Sequence, residues 1–324
     1  MSAILDTAIE TSGDTYIETR NGRFRVAISG PVSAPVLVLS NSLGTTLEMW
    51  DAQVPGLARD FRVVRYDTRG HGGSIVTQGP YTFDQLGDDV VALLDALDVP
   101  RASFCGVSMG GHTGLWLGLH APTRFNAIAV CNSAARIGTT EGWTTRATQV
   151  RTDGKAAMAA LAASSPSRWF TEGFIAREPA RVALAQAGIA ALAPEGYASC
   201  CDALATSDLR DEISAIKVPT LLIAGEFDPV TTVADAQAMQ RAIAGSTVVS
   251  VPASHLSNIE APAQFEAALV QFLARALASR EAHRRSQPIS VRFISQSSWR
   301  GPTCDCQGHF ARASRRVKCC IWFI

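Results

Sequence analysis

The sequence has no long uninterrupted apolar run. Its last such stretch, ALVQFLARALA, is broken by Arg275, well short of a membrane span. The opening residues, MSAILDTAIETSGD, lack a basic start followed by an apolar stretch, so a cytoplasmic protein without a signal peptide is expected. A glycine-rich phosphate loop of P-loop or Rossmann type is missing. So is a His/Cys/Asp cluster at metal-ligand spacing before residue 280, and no cofactor or metal is expected. Charge is sparse, at 18% of residues, but 47% are hydrophobic, which argues against global disorder. The 324 residues suffice for one large domain with a buried core, or one domain carrying an insertion.

Net charge is also absent, with 29 basic and 29 acidic residues, but the balance hides a split. Residues 280–324 hold nine Lys/Arg against two Asp/Glu, leaving 20 against 27 in the rest. An acidic body is a poor nucleic-acid binder, and no nucleic-acid partner is expected. Cysteines divide in the same way. Cys105 and Cys131 lie in apolar runs that suit small buried hydrophobes. Cys200 and Cys201 sit in a helix-like stretch, where reduced thiols are the default for a cytosolic protein. The other four, Cys304, Cys306, Cys319 and Cys320, fall in the basic tail, where the Cys-x-Cys spacing and the adjacent pair fit zinc poorly. The tail has no helical or strand period, and we expect residues 280–324 to be disordered and without function.

What is present is an alternation. Residues 16–29 (YIETRNGRFRVAIS) alternate about Asn21-Gly22, a hairpin turn signal. Residues 34–40 (APVLVLS), 61–66 (FRVVRY), 102–107 and 126–131 (NAIAVC) read as strands. Between them, Leu86, Val90, Leu93, Leu94 and Leu97 form a helical stripe, and residues 111–119 read as a second helix. From 139 to 207 the rhythm changes to Ala-rich short helices, an inserted cap. The alternation then resumes with strand 219–224, a helix near 232–243, strand 247–251 and a helix over 261–278. This predicts an α/β fold with a mostly parallel sheet, its core formed by residues 1–138 and 208–279.

One stretch carries chemistry. Gly106-Val107-Ser108-Met109-Gly110 places a serine between two glycines, after a strand and before a helix. Such a turn strains the serine backbone and lifts its Oγ above the sheet, and the crowding demands small neighbours at both flanks. The helix start aims its positive dipole at a developing oxyanion. A serine hydroxyl needs a base held by a third group, and in this architecture the chain order is serine, acid, histidine. His255 follows strand 247–251 and Asp228 follows strand 219–224, so both reach the same sheet end. Glu226 is the rival acid, and a solvated turn Asp is the plain alternative. Met109 and Leu43 are the candidate oxyanion N–H donors, Leu43 from the loop Asn41-Ser42-Leu43-Gly44-Thr45. His71, in Arg69-Gly70-His71-Gly72, is placed to shape a pocket wall. His112 lies on the helix after Ser108 and reads as a packing residue.

The segments NSLGTTLEMWDAQ, RYDTRGHGGS, GPYTFDQLGDDV, FCGVSMGG, CNSAARIG, RWFT, GYASCCDAL and AGEFDPVT together resemble the 3-oxoadipate enol-lactonases. The likeness runs from about Thr15 to Leu277 and stops before the tail. It implies an α/β-hydrolase fold with a helical cap over 139–207 and a small-molecule lactone as partner. The implied reaction is hydrolysis of 3-oxoadipate enol-lactone to 3-oxoadipate, in the protocatechuate branch of aromatic catabolism. The triad it implies is Ser108, Asp228 and His255. A carboxylate-bearing substrate needs a cation, and Arg136 with Trp143 are the expected pocket residues; a surface arginine at a cap hinge stays open as the alternative. Rival readings are a carboxylesterase, a perhydrolase, a C–C bond hydrolase, or a slow-turnover small-molecule receptor on the same fold. A serine at 108 disfavours haloalkane dehalogenases and epoxide hydrolases, which use Asp there.

Overall fold

The computed structural model describes residues 15–286. The expectation for the basic tail falls, from residue 287 on, outside the described residues.

Eight strands form one sheet: β1 (Thr15–Thr19), β2 (Gly22–Ser29), β3 (Val36–Ser40), β4 (Arg62–Tyr66), β5 (Ala102–Val107), β6 (Phe125–Cys131), β7 (Thr220–Gly225) and β8 (Thr247–Val251). Their order is β1-β2-β4-β3-β5-β6-β7-β8. β1 and β2 form the predicted hairpin, β2 pairs antiparallel with β4, and every later pair is parallel. Alternate residues serve opposite faces. Leu37, Leu39, Cys105 and Val107 join one apolar cluster, and Val38, Phe104, Ile128 and Leu222 join the other. Burial on both faces is why the strands read as continuous apolar runs rather than as an alternation. Each fully buried Leu or Phe of this kind contributes roughly 1.5–3 kcal/mol.

The helices are α1 (Val54–Leu57), α2 (Phe83–Ala96), α3 (Met109–His120), α4 (Thr140–Asp153), α5 (Lys155–Ser164), α6 (Pro166–Trp169), α7 (Glu172–Arg177), α8 (Pro179–Ala191), α9 (Pro194–Thr206), α10 (Val233–Ala242), α11 (Ser257–Glu260) and α12 (Pro262–Ser286). The striped helix is α2. A capping box starts it, with Thr82 accepting from the Gln85 N–H and Gln85 answering the Thr82 N–H. Six helices and no strand, α4 to α9, lie between β6 and β7. Helix α12 runs past the expected stop at 278 to Ser286. Its added turns, with the sequence SREAHRRS, contain no glycine or proline, and Arg280 there donates to the Asn126 side chain. No helix among the described residues is long and apolar enough to cross a membrane.

Candidate active site

The site is built from the loops at the C-terminal ends of β3, β5, β6, β7 and β8. Ser108 follows β5 and caps α3 with φ 57 and ψ −116, a positive-φ conformation rare outside glycine. Its N–H donates to the Cys131 carbonyl at 2.8 Å, and its carbonyl accepts from the Ser133 hydroxyl at 2.8 Å. Those bonds hold the strain in place. A Cβ on Gly106 would strike the Gly110 carbonyl, and one on Gly110 would strike the Ser40 carbonyl. Both glycines are therefore required by close approach, as the sequence pattern demands.

Ser108, His255 and Asp228 come together. Ser108 Oγ lies 2.9 Å from His255 Nε2, and His255 Nδ1 lies 2.8 Å from Asp228 Oδ2. All three are buried. The Asp228 carboxylate is also fixed from other directions: Oδ1 accepts from the Val230 and Thr231 N–H groups, and Oδ2 from the Thr231 hydroxyl and Asn132 Nδ2. Burial works against its ionisation. The His255 contact and these other donors outweigh burial and hold the carboxyl below its ordinary value. Asn132, at φ 44, also donates to the Ser254 carbonyl, so it ties the acid to the histidine loop. Glu226, the rival acid, is exposed.

The histidine loop is also tied to the helical segment above it. The Leu256 N–H donates to the Trp169 carbonyl at 3.1 Å. The Glu260 carboxylate accepts from the Ser254 N–H at 2.9 Å and from both the backbone and hydroxyl of Thr171.

Leu43 lines a cavity of about 380 Å³ together with Ser108, His255 and Trp143. Met109, the first residue of α3, is buried beside the serine. The Gly110 N–H donates to the Asn41 carbonyl at 3.1 Å, which draws the loop after β3 against the start of α3. Among the described residues, neither the Leu43 nor the Met109 N–H has a protein acceptor.

Arg136 is placed elsewhere. Its guanidinium pairs with Asp208 at 2.9 Å and donates to Thr140, and it is not among the residues lining the cavity. Two other arginines do line it, Arg146 of α4 and Arg168 of α6. Arg146 lies 4.8 Å from the centroid of the Trp143 ring, and the Trp143 indole donates to the Ile137 carbonyl at 2.6 Å. Among the described residues neither arginine is paired with a carboxylate. Burial, then the nearby Arg146 charge, pulls the Arg168 guanidinium below its ordinary value. Two half-buried guanidinium groups without a carboxylate partner among the described residues have the chemistry to receive an anion. Arg168 escapes a sequence reading because nothing in its spacing links it to Ser108.

His112 packs against the Phe83 ring, its Nδ1 2.8 Å from the Ala134 carbonyl and its Nε2 2.7 Å from the Ser207 hydroxyl. Burial pushes it down to about 4, so it is a neutral packing group. Among the described residues, no group of three or more His, Cys, Asp and Glu side chains could hold a metal.

A parallel sheet whose strand ends carry a strained serine, with a histidine and an acid behind it in the chain, defines a class. The alpha/beta hydrolase fold model matches residues 35–262, and the chain belongs to that family. Within it, the chain is 48% identical over 249 residues to 3-oxoadipate enol-lactonase 2 of Acinetobacter baylyi, covering 77% of this chain and 92% of that protein. It is 47% identical to 3-oxoadipate enol-lactonase 1 of the same organism over 253 residues, with the same coverages. Among solved structures it is similar to the enol-lactonase from Burkholderia xenovorans LB400, with a TM-score of 0.78 and 45% identity, over 80% of this chain and 100% of that one.

Proposed function

We propose that the protein hydrolyses 3-oxoadipate enol-lactone to 3-oxoadipate, a step of aromatic catabolism, through an acyl-enzyme on Ser108. The observation that carries this reading is the Ser108–His255–Asp228 chain of hydrogen bonds opening into a cavity that also holds two arginines without a carboxylate partner among the described residues. The named activity of the relatives supports the choice of lactone.

In this reading Ser108 Oγ attacks the lactone carbonyl while His255 Nε2 takes its proton. Asp228 holds the ring with its proton on Nδ1 and stabilises the imidazolium. The carbonyl oxygen becomes an oxyanion received by the Leu43 and Met109 N–H groups. Collapse of the tetrahedral intermediate breaks the ring C–O bond, and the leaving enolate takes the proton from His255. Water then attacks the acyl carbon with the same base and releases the acid and free Ser108. The enol tautomerises to the ketone. Arg146 and Arg168 hold the free carboxylate at the far side, and Trp143 buttresses Arg146.

The test is a spectrophotometric assay of generated enol-lactone with the wild type and Ser108→Ala. A loss of about 10⁴- to 10⁶-fold in kcat is expected. Turnover by the alanine variant at the wild-type rate would overturn the mechanism.

A further inference from the structure

His71 is a buried histidine that the proposed chemistry does not use. It lies in the loop after β4, in Arg69-Gly70-His71-Gly72, and its ring meets the loop after β3. Its Nε2 lies 3.0 Å from the Gly44 backbone nitrogen and accepts that N–H. A ring nitrogen that accepts carries no proton, so the proton belongs on Nδ1. There the Arg69 carbonyl is 3.3 Å away, and Cys200 Sγ of α9 lies at 3.9 Å. The Arg69 guanidinium is itself paired with Asp89 through two bonds of 2.6 and 2.8 Å. Burial lowers the ring to about 4, so it stays neutral at ordinary pH.

The backbone of the β3 loop can be accounted for group by group. The Ser42 N–H meets Met49 Sδ, the Gly44 N–H meets His71, and the Thr45 N–H meets the Ser42 carbonyl. From Ser42 to Thr45, only the Leu43 N–H has no protein acceptor among the described residues. Gly44 has φ +89, which lets the chain reverse there and directs successive N–H groups to different sides. Two other bonds tie the same pair of loops. The Leu47 N–H donates to Asp67 at 2.8 Å, and Asn41 Nδ2 donates to the Tyr66 carbonyl at 2.8 Å. His71 is the tie next to Leu43.

We propose that His71 is a positioning residue of the oxyanion site: by taking the Gly44 N–H on Nε2 it fixes the Leu43–Gly44 peptide and leaves the Leu43 N–H directed at the reacting carbonyl oxygen. This rests on the reading of Ser108 as nucleophile and Leu43 as donor. The bond contributes to the transition state, where oxygen becomes charged, and little to ground-state binding, which the arginines supply.

The test compares His71→Leu, which keeps an apolar body of similar size, with His71→Gln, whose Oε1 replaces the acceptor at the Nε2 position. For the lactone, and for a simple p-nitrophenyl ester, His71→Leu is expected to lower kcat about 10- to 100-fold with KM within about twofold. His71→Gln should regain most of that loss. A boronic-acid mimic of the tetrahedral state should weaken in step with kcat. A leucine variant within about threefold of wild-type kcat, or a glutamine variant no better than leucine, overturns the proposal. If the leucine variant does not fold, 15N spectra of the wild-type imidazole decide. A bare Nε2 with a protonated Nδ1 supports the proposal, and an Nε2–H tautomer overturns it. Ser108→Ala run alongside separates the two readings. If it stays active, the assignment of the site fails. If it is dead while His71→Leu is unimpaired, only the role of His71 fails.

Discussion

The two walls of the cavity are built on opposite principles. Below, at the strand ends, the side chains of the proposed triad are buried and hydrogen-bonded in series, and the Asp228 carboxylate alone accepts five hydrogen bonds. Above, in α4 and α6, Arg146 and Arg168 are half-buried and have no carboxylate partner among the described residues. Reaction geometry tolerates little error, so the lower wall is over-determined. In the proposed reading, recognition uses groups whose partner arrives with the ligand, which accounts for the incomplete upper wall. Changes below should therefore act on kcat, and changes above on KM.

The largest effect that would break this contrast is in the lower wall. Asp228→Asn should cut kcat about 10⁴-fold with little change in KM, because an amide at that position favours the wrong tautomer of the His255 ring. Steady-state kinetics on the lactone check this. The same substitution has a pH signature. Asp228 ionises below its ordinary value of 3.8 in the fold, so its charge favours the folded chain above that value. That contribution fades as pH falls through the lower folded value. The Tm gap between wild type and Asp228→Asn should thus narrow as pH falls below about 3.8. A gap that widens in acid would contradict the assignment.

In the upper wall the expected effects are smaller and fall on binding. Arg146→Ala or Arg168→Ala should raise KM for the carboxylate-bearing lactone about 10- to 100-fold and leave a neutral ester untouched. Arg136→Ala serves as the contrast, with kcat/KM expected within about twofold of wild type. Equal losses on the acidic and neutral substrates would remove the arginines from the anion subsite. The smallest effect belongs to the far end of the chain: stopping after Ser286 should leave kcat/KM for the lactone within about twofold, and a large loss would give residues 287–324 a role.

The lower wall is largely legible in the sequence, and the upper wall only at Trp143. Ser108, Asp228 and His255 stand at strand ends, and strands buried on both faces announce themselves as apolar runs. Chain order then assigns each loop to the same edge of the sheet. Arg136 recommends itself by following β6 closely, yet Asp208, 72 residues further on, is what it meets. Arg168 sits in a four-residue helix whose place over the site depends on how six short helices pack. Helical periodicity is local and says nothing of that packing. The continuation of α12 is hidden for a similar reason: its basic composition suggests a boundary, while its helix-forming residues and the Arg280 contact with Asn126 carry the helix on.

The bonds from Trp169 and Thr171 to the histidine loop bear on how such proteins diversify. A segment of helices between two strands invites exchange as a cassette, with a new roof bringing a new substrate. Here the roof and His255 share a fastening through Glu260. A cassette borrowed from a relative would carry its own pocket but would inherit the recipient's glutamate. Unless it also brought a donor at position 171, the exchange would trade substrate range for a misplaced base. Replacing the roof of this chain is thus expected to need matched residues at 171 and 260.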